Sequence, residues 1–383
     1  MAWALLLVSF LFIDVAASLP MGSLPLALAH EGETSAMVSL VMGAGMFAAL
    51  FGSVPVGLLA DRIGRLPTMR YAVVLIVVSM VMLGFAQGAE SNAMVMALRS
   101  LAFVALFTAE FAYAGEIVPE ERLVSSIATL GIIGNLATAL GPASAVWLWQ
   151  HGVGRGQYVW ADIPIALGLV VLFFLPARHD VRSPRRSRTI LMRSAWLPAL
   201  AFSVGAQLQG GINGALAVLT FHHRGIGNAA LLFTAMATTV ILLRYPAGRC
   251  VDIYGPRLVA IPTAIFQSLG CVIAALAWHP FAVIVAGSCL GIAWSAVIPI
   301  GVALFYEKSS RQTRGVAMGA FNFATSLGAA GGALIATASA AFGPGYTLAM
   351  LIASLAPLAA LPFVVTSPLP ARLKYAWTSY SSS

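Results

Sequence analysis

The sequence predicts an all-α membrane protein of twelve spans arranged as two six-helix halves, and three observations carry that reading. The first is composition: 60% of the 383 residues are hydrophobic and only 9% are Asp, Glu, Lys or Arg. A soluble domain carries about a quarter charged residues, so this chain cannot cover an ordinary water-facing surface. The second is the recurrence, from end to end, of apolar runs of ~20 residues, the length that crosses a hydrocarbon core ~30 Å thick. The third is an internal repeat spaced by half the chain.

The apolar runs place spans at 4–28, 36–60, 69–88, 92–114, 123–148, 158–176, 195–220, 229–248, 257–277, 280–304, 315–338 and 345–366. All read as helices, because an open strand leaves its backbone groups unsatisfied in lipid. Pro20, Pro142, Pro198, Pro299 and Pro357 fall inside these runs and mark expected kinks. The opening MAWALLLVSFLF has the apolar character of a signal-peptide core. It lacks a basic segment before it and runs on past Asp14 and Pro20 without a cleavage pattern, so it is expected to stay as the first span.

The net charge of +8 would suggest nucleic acid in a soluble protein, but here the basic residues sit in short loops. With an even number of spans, Arg62, Arg65, Arg70, Arg122, Arg178, Arg182, Arg185, Arg186, Arg188, Arg193, Arg249, Arg257, Lys308, Arg311, Arg314, Arg372 and Lys374 fall on one side. The other side receives only Arg155 and Arg224. This bias places both termini and the 177–194 loop in the cytoplasm and removes nucleic acid as an expected partner. The expected divisions are 1–176 (first bundle), 177–194 (basic linker), 195–366 (second bundle) and 367–383 (cytoplasmic tail). The linker's arginines read as a flexible topogenic connector, or as a site for anionic lipid headgroups.

Cys250, Cys271 and Cys289 show no CxxC spacing, and the six histidines form no HExxH pattern. No metal and no cofactor are expected. With no GxxxxGK[ST] loop, ATP-driven transport is not indicated, and without a clustered nucleophile or metal set the chain does not read as an enzyme.

Gly57-Leu-Leu-Ala-Asp61-Arg62-Ile-Gly64-Arg65 recurs as Gly248-Arg-Cys-Val-Asp252-Ile-Tyr-Gly255-Pro-Arg257, each after the second span of a half. Asp61 and Asp252 are 191 residues apart, as are Glu116 and Glu307, with Arg122 and Arg314 following them. Landmarks sharing one offset indicate duplication and fusion. Glycines let helix ends approach across a tight turn. The aspartate can face a helix N-terminus while the arginines pair with it or hold the interface. Such a latch would hold one arrangement of the halves and release in another; the alternative is a tight turn with topogenic arginines.

GLLADRIGR resembles the signature loop of the major facilitator superfamily, and the segment from Arg244 to Arg257 resembles its second-half counterpart in bacterial efflux-type members. The span count, the central basic loop and the Glu…Arg turns at 116–122 and 307–315 extend the resemblance over the whole chain. Gly141-Pro142, with Gly134 before it and Ala145 where a glycine usually follows, resembles the glycine-proline motif of antiporters in that superfamily. Arg99 resembles the buried arginine linked to proton coupling there, with Phe103 where a glycine is usual. The resemblance implies the major facilitator fold, alternating access, and a monomer in the bacterial inner membrane.

A charge at mid-bilayer costs several kcal/mol and calls for a partner, a cavity or a function. Asp14 lies in the first span, roughly 16 Å deep at ~1.5 Å per residue. Arg99 and Glu110 share one face of the fourth span, roughly three turns apart. Desolvation raises a carboxyl pKa and a nearby arginine lowers it, so relative motion of such groups loads and releases a proton. Asp14 is the first candidate carrier, Glu110 the alternative, and Arg99 the modulator. Each has a plainer reading as a polar contact between helices, and Arg244 is expected to snorkel at a helix end.

In the fold the resemblance implies, spans one, four, seven and ten line the cavity. Gln207, Gln209 and Asn213 in the seventh, Ser288, Trp294 and Ser295 in the tenth, and Asn135 and Asn322 in the fifth and eleventh are candidates to hold a neutral or zwitterionic solute. Interhelical hydrogen bonding is the alternative for each. The expected function is proton-coupled export of a small organic solute. Proton-coupled uptake is the alternative, followed by facilitated diffusion or lipid movement, and by a receptor or scaffold without transport.

Overall fold

The computed structural model describes residues 2–118, 123–176, 196–307, 314–343 and 345–366. Within them, the side chains at 53–54, 57–58, 60–61, 115–116, 123–128, 306 and 314–318 fall outside the description. The basic linker and the 367–383 tail lie outside it too, as do the side chains of Asp61, Glu116, Arg122 and Arg314 and any surroundings of Gly57.

The first span is two helices, α1 (Ala2–Ala17) and α2 (Pro20–His30). Spans two to six are α3 (Ser35–Ile63), α4 (Arg65–Phe85), α5 (Gly88–Ile117), α6 (Leu123–Gln150) and α7 (Gly156–Phe173). The seventh is α8 (Leu197–Ile212), a π turn (Asn213–Ala217) and α9 (Val218–His223). Spans eight to twelve are α10 (Leu231–Tyr254), α11 (Pro256–Leu276), α12 (Pro280–Glu307), α13 (Arg314–Ala341) and α14 (Gly345–Val365). Among the described residues eleven helical stretches are long and apolar enough to cross a membrane. The seventh span, divided by its π turn, completes twelve.

The first interruption has a local cause. Pro20 has no N–H to continue α1, and its fixed φ suits the first turn of a new helix, so α2 starts on it. Pro198 likewise sits in the first turn of α8, starting that helix rather than kinking its interior. Pro142, Pro299 and Pro357 lie within continuous helices. The second and eighth spans run past their expected ends, to Ile63 and Tyr254, since a helix need not stop where the lipid does.

Along α4, Tyr71, Val74, Val78, Met82 and Phe85 are exposed at helical spacing, and α7, α11 and α14 carry similar stripes. On a twelve-span bundle such faces meet lipid. Small residues bring other helices close. A Cβ on Gly332 of α13 would meet the Leu208 carbonyl of α8, and one on Gly211 would meet that of Ala329, so these backbones touch.

In the first half, α5 packs along α3 and α4, and α1 packs on α6 and α7. In the second, α8 packs on α13, while α12 packs on α10 and α11. The halves meet through α3 with α13, α6 with α10, and α2 with α9. One buried apolar cluster runs through the first half and into the second, where it takes in Leu216, Phe221, Phe233, Ala274, Leu290 and Met350. These lie toward the face opposite the arginine-rich loops. Nearer the arginine-rich face the second half has a separate core around Trp196, Phe202, Ile300, Phe305 and Phe321. Among the described residues, the continuous apolar packing that joins the halves lies toward the face opposite the arginine-rich loops.

Candidate functional site

The break between α1 and α2 positions the first group of polar residues. The Met21 amide turns to the Ser18 carbonyl, leaving the Ala17 carbonyl without its helical donor. The Arg99 side chain on α5 donates Nη2–H to that carbonyl. Arg99 is 7% exposed, Asp14 on α1 is 3% exposed and Glu110 on α5 is wholly buried. Asp14 interacts electrostatically with both Arg99 and Glu110, so the three form one cluster at the α1–α5 junction. Neither oxygen of Glu110, nor Arg99 Nε, has a hydrogen-bond partner among the described residues.

The surroundings are aromatic. Phe10 packs edge-on to Phe111 at 6.4 Å, and Phe107 lies 4.4 Å from Phe111 and 6.5 Å from Phe103, forming a ladder down α5. Phe107 is 43% exposed although α5 is flanked by α1, α3, α4 and α6. A carboxyl in such an apolar setting has little to stabilise its charge beyond Arg99.

The amide and hydroxyl candidates are not gathered in one place. Asn213 Nδ2–H donates to Gln209 Oε1 at 2.7 Å, and the Tyr346 hydroxyl donates to Asn213 Oδ1 at 2.8 Å, all three side chains being buried. This chain of bonds sits at the π turn, an irregularity common at functional sites. Gln207 is half-buried with its Oε1 unpartnered among the described residues. Ser295 is buried and donates to its own helix at Ile292, while Ser288 and Trp294 are half-buried. Asn135 donates to Gly131 in its own helix, and Asn322 is exposed.

At the arginine-rich face, Gly248 and Asp252 stand within α10 rather than in a turn, and α3 likewise runs through Gly57 and Asp61. The connection shrinks to one glycine in each half: Gly64 at φ 90° and ψ 156°, and Gly255 at φ 81° and ψ 156°. L-residues avoid this region, so only glycine links the helices without strain. The following arginine in each half then reaches the last turns of the fourth span. Arg65 Nη1–H donates to the Ala112 carbonyl at 2.9 Å, and Arg257 forms a two-pronged ion pair with Glu307 at 3.2 and 2.9 Å. Asp252 is exposed and forms no ion pair among the described residues, and Arg62 is exposed. The partner of Arg257 is therefore a glutamate from the neighbouring helix, not the loop aspartate. Arg244 leans over the side-chain-free surface of Gly131 on α6 with one buried nitrogen that has no hydrogen-bond partner among the described residues, instead of reaching outward from its helix end.

On the opposite face, Arg155 pairs with Glu31 at 2.7 Å and donates to the Leu83 carbonyl at the end of α4. Arg224 donates to Ala275, Ala277 and Thr347, covering the end of α11. Both arginines of this face thus satisfy helix C-termini, where positive charge is favoured. Hydrogen bonds also cross between the halves here, from Thr234 to the Ala139 carbonyl at 3.2 Å, from Thr337 to Ser39 at 3.0 Å and from Gln150 to the Gly227 carbonyl.

Residues 6–225 and 198–379 match the sequence profile of the Major Facilitator Superfamily. The chain belongs to that superfamily. Among its relatives, the "Uncharacterized MFS-type transporter YcaD" of Salmonella arizonae is 32% identical over 131 residues. That stretch covers 34% of this chain and only 33% of the relative. YcaD of Salmonella paratyphi B is 29% identical over 130 residues, 34% of this chain and 33% of its own length. A POT family transporter crystallised with a thioalcohol-conjugated peptide superposes with a TM-score of 0.80 at 13% identity, covering 94% of this chain and 95% of that one. The nucleoside transporter NupG gives 0.73 at 15% identity, covering 96% and 98%. These likenesses establish the major facilitator fold.

In this superfamily member the rule that singles out Asp14 applies equally to Asp162, a carboxylate inside the sixth span that is absent from the residues expected to act. Asp162 is half-buried on α7, and neither carboxyl oxygen has a partner among the described residues. Tyr346, and Tyr158, which is bonded to Ser23 at 3.0 Å, give no such signal, because a tyrosine near a span end reads as an interfacial residue.

Proposed function

We propose that this transporter exports a small organic solute in exchange for protons, with the arginine-rich face toward the cytoplasm of a bacterial inner membrane and the chain acting as a monomer. One observation carries the proton coupling: two buried carboxyls, Asp14 on α1 and Glu110 on α5, share a cluster with the buried Arg99 of α5, and Glu110 has no partner among the described residues. The Arg99 bond to Ala17 ties this cluster to the break in the first span. A change in that break would alter the field on Asp14 and hence its hold on a proton. Alternating access is supported by the hydrogen bonds and apolar packing that join the halves at the face opposite the arginine-rich loops, a contact about which they can rock. The partial glycine-proline motif at Gly141-Pro142 favours export. Uptake is the second reading, favoured by the fold shared with a nucleoside and a peptide transporter.

The test is flux in proteoliposomes with an imposed pH gradient, using a solute found by a thermal-shift ligand screen. Asp14→Asn should abolish gradient-driven flux and leave solute-for-solute exchange and folding intact. Full coupling in that variant would remove Asp14 from the mechanism, and accumulation in the direction of the proton gradient would replace export by uptake.

A further inference from the structure

A lateral cavity of about 410 Å³ lies away from the Asp14–Arg99–Glu110 cluster, on the back of α1. Its floor is α1 at Leu11 and Val15, and its walls are α6 at Leu136 and Leu140 and α7 at Gln157 and Pro164. The geometry follows from three irregularities at one level: the α1–α2 break, Pro142 in α6 and Pro164 in α7. A proline displaces its helix from a straight course, and here α6 and α7 both pack on α1 while scarcely touching each other. The gap opens sideways, past the exposed side chains of Phe12, Leu140 and Trp160, into the lipid-facing wall.

Two features specify an occupant. From Leu136 to Leu148 the groove runs along twelve residues of α6, roughly 18 Å at ~1.5 Å per residue, close to one leaflet's hydrocarbon depth of ~15 Å. It starts at mid-membrane and ends near the face opposite the arginine-rich loops. At that end sits Gln157, 1% exposed. Its Nε2–H donates to the Gly154 carbonyl at 2.8 Å, which fixes the amide and leaves Oε1 as a buried acceptor with no partner among the described residues. The hydroxyl of Ser144, which also lines the cavity, already donates to the Gly141 carbonyl. A buried water needs two to four polar partners, more than this wall offers.

We propose that the groove is a binding site for a phospholipid with a primary ammonium headgroup, a phosphatidylethanolamine. One acyl chain fills the apolar channel against α1, and the headgroup N–H donates to Gln157 Oε1. A choline headgroup has the same charge and shape class but no N–H, so the site distinguishes the two by a single hydrogen bond. The bound chain props the helix whose other side carries Asp14, which places a lipid in contact with the moving part of the transporter.

The experiment reconstitutes the full chain into nanodiscs of equal phosphatidylethanolamine and phosphatidylcholine and measures the lipid retained on gentle detergent extraction by native mass spectrometry. The wild type should retain ethanolamine lipid over choline lipid by about fivefold, the worth of one hydrogen bond. Gln157→Leu, of similar size without the acceptor, should bring the ratio to near one. Leu140→Trp, placing an indole in the groove mouth, should lower retention of both. If Gln157→Leu does not fold, a series of N-methylated ethanolamine lipids on the wild type gives the same answer, with retention falling when the third methyl removes the last donor. Equal retention of the two lipids by the wild type, or a preference unchanged in Gln157→Leu or across the methylated series, overturns the proposal.

Discussion

Glu110 and Asp14 occupy one cluster but differ in what the surrounding protein offers them. Asp14 lies between Arg99 and Glu110, whereas Glu110 is fully enclosed beside Phe111 with neither oxygen hydrogen-bonded among the described residues. Glu110→Gln keeps the shape and removes the titratable group. Proton-driven flux should fall to background in this variant if Glu110 shares the proton with Asp14, and should persist if Glu110 only braces α5; the same proteoliposomes decide between them. A charge inside an apolar run is conspicuous in sequence, which is why these residues and Arg99 could be named from it. The Phe103–Phe107–Phe111 ladder was not legible, because phenylalanine at helical spacing in a span is indistinguishable from lipid-facing or core packing until the neighbouring helices are known. Gln209 and Asn213 were visible as polar residues, but their partner Tyr346 lies 133 residues beyond Asn213.

Among the elements, α13 makes the cleanest comparison, since two of its glycines differ only in what faces them. A Cβ at Gly332 would meet the Leu208 carbonyl of α8, while one at Gly319 meets nothing within 4 Å. Alanine improves helix propensity by about 1 kcal/mol over glycine, and overpacking costs about 1–3 kcal/mol. Gly319→Ala should therefore leave thermal stability unchanged or slightly raised, and Gly332→Ala should lower it; detergent-solubilised Tm values test both. The single-glycine link gives a related prediction. At Gly255 the positive φ costs a side chain about 1–3 kcal/mol. Gly255→Ala should therefore lower Tm through backbone strain alone, since an added methyl there meets nothing within 4 Å. The helices themselves were readable from hydropathy, with ends off by a few residues. The extension of α3 and α10 beyond the apolar runs was not readable, because hydropathy reports where lipid stops and helices continue into water. The π turn of the seventh span carries no proline and left no signal in sequence.

At the scale of the whole molecule, the duplicated loops act alike, each glycine turning the chain so that an arginine reaches the end of the fourth span. They secure each half internally at the arginine-rich face, while the hydrogen bonds between halves gather, among the described residues, at the other. Transport by rocking requires that second set to part. Ser39 and Thr337 face each other across the seam with hydroxyls 3.0 Å apart, close enough for a disulfide if both become cysteine. Ser39→Cys with Thr337→Cys, in a chain whose Cys250, Cys271 and Cys289 are replaced by serine or alanine, should cross-link under oxidation without distorting the fold. The oxidised protein should lose solute flux and regain it on reduction. Undiminished flux in the fully cross-linked protein would mean that this seam stays closed throughout the cycle, and that the halves move about a contact elsewhere.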